Sequence, residues 1–206
     1  PNDIECGETR TVAPLSPSPI AAKSINVQDI KNFFTTEIAV DIIAFLSASR
    51  GALTVDELVA LIGKHRGRPI LPYDVNSCVN GSPGRILTPI EVGSRGRKVT
   101  AYRVGHDVVT EAVIEVLGPG SFVKIDDQVQ RSRSALIREP LLEPYRKTIR
   151  KWVKKYVKGG WGPETPSYVL SAACFELMLD GGDSRALTTV LAVGRYNEIL
   201  RRSGSS

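Results

Sequence analysis

The sequence predicts a mainly α-helical protein that contains a single β-hairpin. Over most of the chain, apolar residues recur at spacings of three and four, which is typical of helices with one buried face. Two short runs in the middle of the chain have the composition of strands, and a glycine-rich segment joins them. The 206 residues are 42% hydrophobic and 24% charged, so the chain is long enough to form a hydrophobic core.

The amino-terminal part of the chain consists of a proline-containing segment followed by helical patterns. Residues 1–24 have no apolar periodicity and are predicted to form an extended arm. Helical spacing begins near Asn26, and Thr35-Thr36-Glu37 is expected to separate two helices. The second of these helices, which Gly51 should close, is apolar on most sides and is therefore expected to be buried.

Residues 53–69 predict a capped helix followed by a basic loop. Thr54 and Glu57 have the spacing of a capping box, in which each side chain accepts a hydrogen bond from the other residue's backbone at a helix start. Apolar positions then repeat at helical spacing up to Gly63, which is expected to end the helix. The loop after it would present four basic side chains to solvent: Lys64, His65, Arg66 and Arg68.

A second helix and a β-hairpin are predicted next. Proline suits the first helical turn, so the helix is expected to begin near Pro72. It would direct Tyr73, Asp74, Asn76, Ser77 and Asn80 outward, and Val75, Cys78 and Val79 inward. Strands are expected at residues 86–92 and 99–104, joined by residues 93–98 as a basic hairpin tip. Pro89 removes a backbone donor, so the first strand suits only the edge of a sheet.

The order of helix, turn, helix and basic hairpin resembles that of the winged helix-turn-helix superfamily. The resemblance covers residues 25–104 and concerns the fold, without identifying a family inside the superfamily. It implies a domain in which the second helix, the loop before it and the hairpin contact duplex DNA. Winged domains also act as protein–protein interaction modules, so that alternative stays open.

Residues 105–206 are predicted to form a second, helical domain. Its first helix is expected to be capped by Asp107 and to end at Gly118-Pro119-Gly120. The apolar residues of 121–138 suit a helix, but residues 121–125 could instead form a strand. Pro144 is expected to start the next helix and Gly159-Gly160 to end it.

That helix has two contrasting faces. Its apolar stripe consists of Tyr145, Ile149, Trp152, Val153, Tyr156 and Val157. The opposite face is expected to carry Arg146, Lys147, Arg150, Lys151, Lys154, Lys155 and Lys158. Residues 166–179 then predict a helix that is apolar nearly all round, and a last helix is expected at about 184–202. An apolar helix of this kind must be buried, within the domain or in a homodimer.

Positive charge is concentrated in two blocks of the chain. The formal net charge is +5, but residues 63–103 hold eight basic and two acidic residues, and residues 121–160 hold eleven basic and four acidic residues. Such segregation favours a polyanionic partner over a merely soluble surface. We therefore predict double-stranded DNA as the partner, contacted by Lys64, Arg66, Arg68, Tyr73, Asn76, Ser77, Asn80, Arg85, Arg95, Arg97, Lys98, Arg146, Lys147, Arg150, Lys151, Lys154 and Lys155.

Catalytic, metal and cofactor sites are not predicted. His65 and His106 have no ligand-type residue at metal-site spacing, and the glycines at 93 and 96 lie between strands without the lysine of a phosphate-binding loop. The acidic pairs are better explained as a helix cap and a solvated helix face than as a nuclease centre. The three cysteines are far apart, which favours a reducing compartment.

The sequence thus predicts a non-enzymatic, homodimeric DNA-binding protein that regulates transcription or genome maintenance. It would have no cofactor and would be cytoplasmic or nuclear, bound to the nucleoid or chromatin. One alternative is an interaction module that docks acidic protein surfaces within a larger assembly. The other is attachment to a membrane surface through the amphipathic helix 144–158, with Trp152 and the tyrosines as anchors. No apolar run approaches the length of a membrane span.

Overall fold

The computed structural model describes residues 36–81, 86–94, 97–105, 127–180 and 192–203, and only the backbone of residues 127–139. The elements in these ranges are α1 (Glu37–Ser49), β1 (Leu53–Thr54), α2 (Val55–Arg66), α3 (Pro72–Gly81), β2 (Leu87–Ser94), β3 (Arg97–Val104), α4 (Asp127–Lys158), α5 (Ser167–Leu170), α6 (Ala172–Asp180) and α7 (Val193–Ser203). The predicted arm, the helix after Asp107 and the predicted contact residues Arg85 and Arg95 lie outside the described residues.

Helix α1 begins where the sequence predicted a new start. The hydroxyl of Thr36 accepts a hydrogen bond from the backbone N–H of Ala39 at 3.2 Å, which satisfies one of the free donors of the first turn. The helix ends one residue earlier than its predicted closing glycine, because Arg50 already adopts a left-handed conformation with φ of 55°. Most of its side chains are buried, as expected.

Helix α2 has the predicted capping box at its start, but it does not end at Gly63. The Thr54 hydroxyl accepts from the Glu57 N–H at 3.3 Å, and the Glu57 carboxylate accepts from the Thr54 N–H at 2.7 Å. The helix continues to Arg66 and ends at Gly67, which has φ of 65°. Gly63 serves a different purpose, because a Cβ there would lie 3.2 Å from the Arg68 carbonyl oxygen, where the chain folds back.

The three strands form an antiparallel sheet in the order β1-β3-β2. Strand β2 is therefore an edge strand on one side, which allows Pro89 to lie opposite Tyr102 inside the ladder. Both hairpin strands are longer than predicted. Pairs form as far as Gly93 with Lys98 and Ser94 with Arg97, whereas residues 95 and 96 of the predicted tip lie outside the described residues.

The prediction that α4 begins at Pro144 was wrong. The helix extends back to Asp127 and contains Pro140 and Pro144 in its interior. An interior proline costs roughly 3 kcal/mol because it removes a backbone hydrogen bond. Burial of Leu142 and Tyr145 on the two sides of Pro144 offsets this cost and holds the helical register. The predicted end at Gly159-Gly160 is confirmed.

The predicted single helix at 166–179 is two helices, α5 and α6, separated at Ser171. The backbone of Ser171 is extended, and its hydroxyl accepts a hydrogen bond from the Cys174 N–H at 3.2 Å while donating to the Tyr168 carbonyl at 2.7 Å. Serine in this position caps the start of α6 and interrupts the helix before it. Helix α7 covers the second half of the predicted last helix, and residues 184–191 lie outside the described residues.

A single hydrophobic cluster joins the elements on both sides of the predicted domain boundary at residue 104. Phe45 and Leu61 of the first part pack in the same cluster as Ile149, Trp152 and Leu177 of the second part. Helix α4 packs against α1, α2 and α6, whereas α3 packs against α1 and α2. The second part of the chain therefore completes the core that the first part begins.

Candidate nucleic-acid interface

Helix α3 presents one uncharged polar face to solvent. Tyr73, Asn76, Ser77 and Asn80 are all exposed, and their spacing of i, i+3, i+4 and i+7 places them along one side of the helix. Val75 and Val79 are buried on the other side, as predicted. The Asn80 side-chain oxygen accepts a hydrogen bond from the Tyr102 hydroxyl at 3.4 Å, which connects this face to strand β3. Amide and hydroxyl groups of this kind can form hydrogen bonds with base edges.

Basic residues lie beside α3 and not on it. Lys64 and Arg68 are exposed and together line an open depression of about 370 Å³, which includes Gly63 and Gly67. Helix α3 itself has no lysine or arginine between Pro72 and Gly81. Contacts with phosphate groups would therefore come from the segment before the helix and from the hairpin after it.

Arg66 does not belong to the exposed basic set, although the sequence placed it there. It lies in the last turn of α2, where its Nε donates to a carboxylate oxygen of Asp41 and its Nη1 to Glu37. Its Nη2 donates to the Glu37 carbonyl oxygen at 2.9 Å. Asp41 is buried, so Arg66 neutralises a carboxylate that would otherwise be costly inside the protein. All three guanidinium nitrogens are engaged by α1.

The aromatic residues around Asp41 explain the position of His65. The Tyr145 hydroxyl donates to Asp41 at 3.2 Å, and the His65 ring stacks on Tyr145 with 4.6 Å between the ring centres. Phe45 meets both rings edge to face. Burial, followed by the nearby Asp41 charge, raises the pKa of Tyr145 far above its ordinary value. His65 is thus part of the contact between α2 and α4.

In its described residues the hairpin provides three exposed basic side chains, one of which is not among the predicted contacts. Arg97 and Lys98 are exposed at the start of β3, and Lys98 forms a solvent-exposed ion pair with Glu91 at 2.9 Å. Such a pair is weak and can be exchanged for a phosphate contact. Arg103 is also exposed on β3. It was missed because one arginine within an apolar strand pattern gives no signal of its own.

Helix α4 exposes five lysines in a stripe: Lys147, Lys151, Lys154, Lys155 and Lys158. Their spacing keeps them on the side opposite the buried Ile149 and Trp152, which is the arrangement that the sequence predicted. Among the described residues, no carboxylate pairs with Lys147, Lys151 or Lys158. Lys155 lies 5.9 Å from the centre of the Tyr156 ring.

Two arginines of α4 were assigned wrongly to the exposed basic face. Arg146 is only 7% exposed, because it lies four residues after Leu142 and three before Ile149 and so falls within the buried stripe. Arg150 is half-buried and forms an ion pair with Glu143. That pair exists because the helix continues before Pro144, which brings Glu143 onto the same helix. The sequence interpretation had started the helix after this acid.

Buried titratable groups outside the basic surfaces are explained by packing. Burial raises the pKa of the Cys174 thiol to about 12, so the thiol stays protonated at neutral pH, as expected of a core cysteine. Arg201 and Arg202 hold the pKa of Glu198 at about 2 through hydrogen bonds. Burial raises the pKa of Glu57, although the backbone N–H groups of Thr54 and Tyr168 oppose the shift.

In the part of the chain that the structure describes, no group of three or more potential ligands could hold a metal ion. None of its helices combines the length and the apolar character that crossing a membrane requires. Comparison with protein-family models, with curated proteins and with solved structures finds no match for the chain.

Proposed function

We propose that the protein is a non-enzymatic regulator that binds duplex DNA, with a winged-helix domain that ends at β3. The proposal is supported by the order α1, β1, α2, α3, β2, β3 and by the β1-β3-β2 sheet, which are the elements that a winged helix requires. The observation that carries it is the exposed face of α3. Four side chains able to form hydrogen bonds lie along one side of a helix that follows directly after an exposed basic segment.

In this proposal the two kinds of contact come from different parts of the domain. Asn76 lies in the middle of the α3 face, and an asparagine amide can bind adenine through two hydrogen bonds in the major groove. Lys64, Arg68 and Arg97 would bind phosphates on either side and so position α3 on the duplex. Because α3 has no basic residue and one acidic residue, Asp74, its own contribution would depend on base contacts and not on general attraction to DNA.

Two sets of variants test these roles. Arg68→Ala combined with Arg97→Ala should weaken binding to every duplex sequence and reduce the salt dependence of binding. Asn76→Ala should cost about 1–3 kcal/mol on the preferred site and little on other sequences. The preferred site is first obtained by selection from a random duplex library, and fluorescence anisotropy then gives each affinity.

Asp56→Asn is the control, because Asp56 is exposed at the start of α2 and belongs to neither the proposed DNA contacts nor the proposed dimer surface. It should leave both affinities unchanged. If Asn76→Ala weakens selected and random duplexes equally, α3 does not read the sequence.

A protein-binding function is the second candidate, and a specific observation favours it. Leu71 and Tyr73 are 65% and 76% exposed at the start of α3, which is unusual for large apolar side chains next to each other. An acidic protein with an apolar centre would fit this surface together with Lys64 and Arg68. Binding to a membrane surface is less well supported, because Trp152 is 5% exposed and cannot serve as an anchor.

Self-association is also proposed, through the carboxyl-terminal helices. Leu179 of α6 and Val193 and Tyr196 of α7 are exposed apolar side chains. A second copy of the chain could cover them, and a two-fold dimer would match a two-fold DNA site. An intracellular location, in the cytoplasm or nucleus, follows from the proposed partner.

A further inference from the structure

The lysine stripe of α4 and the outer face of α3 lie on different sides of the molecule. Both helices pack against α1 and α2. Packed helices need 8–10 Å between their axes, so the groove on one side of a helix pair holds a single further helix at a given level. In the described residues, α3 and α4 form no substantial contact with one another. The α1–α2 pair consequently lies between them.

Side-chain contacts are consistent with this arrangement. Asp41 and Phe45, one turn apart on α1, face Tyr145 of α4. The contact between α1 and α3 involves a different part of α1. The hydroxyl of Thr36, at the start of α1, lies 3.8 Å from the Cys78 sulfur of α3. Helices α3 and α4 each bury the side that faces α1, so their exposed sides point away from the α1–α2 pair.

The α4 stripe has the charge and dimensions of a binding surface for a nucleic-acid backbone. Lys147 and Lys158 are eleven residues apart, which corresponds to about 16 Å along the helix axis. Duplex DNA carries one phosphate charge for about every 1.7 Å of its axis, so several phosphates lie within this length. Between Lys147 and Lys158 the exposed side has no base-reading amide, and its exposed cations are lysines, which bind phosphate as point charges.

From these observations we infer that the α4 stripe binds a second duplex segment, so that one chain bridges two segments of DNA. The first segment would lie on α3 and the hairpin, and the second on Lys147, Lys151, Lys154, Lys155 and Lys158. The second contact would be independent of sequence, because it involves only phosphates. This inference rests on the proposed DNA-binding function and adds a second site to it.

Bridging is tested with two short duplexes, one labelled with a donor dye and one with an acceptor dye. Wild-type protein should produce energy transfer between them at protein concentrations below those of the duplexes. The variant Lys147→Glu/Lys151→Glu/Lys158→Glu should lose the energy transfer, while it keeps the wild-type preference for a duplex carrying the selected site over a random duplex, since only the sequence-independent surface is removed. Lys147→Arg/Lys151→Arg/Lys158→Arg keeps the charge and should bridge like the wild type. The replaced lysines are exposed, so circular dichroism should show that all variants are folded.

Three outcomes would overturn the inference, and they are distinguishable from failure of the proposed function. Wild-type protein that binds single duplexes but gives no energy transfer has only one site. Energy transfer that survives the glutamate substitutions would arise from a dimer with two α3 faces. Binding of the wild type to phosphatidylserine vesicles without energy transfer would assign the stripe to a membrane surface. If the wild type binds no duplex at all, the proposed function fails first, and the inference falls with it.

Discussion

Glu57 connects two helices whose starts are far apart in the sequence. One of its carboxylate oxygens accepts from the Thr54 N–H, and the other accepts from the Tyr168 N–H at 2.8 Å, across 111 residues. A buried carboxylate is costly unless hydrogen bonds satisfy it, and here both oxygens are satisfied. The capping box revealed the first bond from the sequence alone. The second depends on the packing of α5 against α2, which local spacing cannot show.

The pKa of Glu57 leads to a prediction about the pH dependence of stability. Burial raises it above the ordinary value of 4.5, so the folded state holds this proton more tightly than the unfolded state does. The free energy of unfolding should therefore fall as pH rises from about 4.5 through the folded pKa, by at most about 1.4 kcal/mol per pH unit from this group. Glu57→Gln should remove this slope, measured by urea unfolding between pH 4 and 7. Glu176→Gln, at an exposed acid on α6 that does not contribute to the Glu57 pKa, should keep the wild-type slope. An identical slope in the wild type and Glu57→Gln would contradict the assigned cause.

Replacement by alanine should lower stability at Arg66 but weaken duplex binding at Arg68. Arg66→Ala leaves the buried Asp41 without its cationic partner and should destabilise the protein by about 3 kcal/mol or more. Arg68→Ala should change stability by less than about 0.5 kcal/mol, because the side chain is exposed, but it should weaken duplex binding. Urea unfolding and anisotropy separate the two effects. A destabilised Arg68→Ala protein, or a stable Arg66→Ala protein, would contradict the structural role of Arg66 and the binding role of Arg68.

At the scale of elements, periodicity and caps predicted most helices, and the errors came from residues with two roles. Glycine ends helices but also permits close approach, and Gly63 has the second role. Proline starts helices but is tolerated inside a helix that is held by packing on both sides, as at Pro144. Serine can lie within a helix or cap one, and Ser171 caps α6. In each case the tertiary contacts decide, and the sequence pattern does not contain them.

Helix α4 provides a direct test of whether its apolar stripe belongs to the core. Trp152 packs edge to face with Tyr156 and stacks with Tyr168, with ring centres 5.4 Å and 6.5 Å apart. Trp152→Ala should therefore cost about 3–5 kcal/mol of stability, as for a buried aromatic residue. Lys151→Ala, one position earlier and exposed, should cost almost nothing. A Trp152→Ala protein as stable as the wild type, but unable to bind anionic vesicles, would mean that the stripe is a membrane anchor.

At the scale of the whole molecule, the described residues of both predicted domains share one hydrophobic cluster. The hydrophobic cluster takes side chains from α1 and α2 and from α4 and α6. The sequence predicted the exposed face of α3, because its apolar and polar positions alternate with helical spacing. It could not show that α1 and α2 separate this face from the lysines of α4. The amount of positive charge can be counted from the sequence. Its distribution between the α3 and hairpin surface and the α4 stripe depends on how the helices pack.

The salt dependence of binding to duplex DNA is the most direct test of whether the α3 and hairpin surface binds phosphates. Among the described residues, the α3 and hairpin surface offers five exposed basic side chains, Lys64, Arg68, Arg97, Lys98 and Arg103. If these residues neutralise phosphates, the logarithm of the association constant should fall against the logarithm of salt concentration with a slope of about −4 or steeper, at roughly −0.9 for each phosphate. Fluorescence anisotropy of the wild-type protein with a mixed-sequence duplex at several salt concentrations gives this slope. Binding of micromolar strength or weaker, with a slope near zero, would contradict the claim and favour a protein partner.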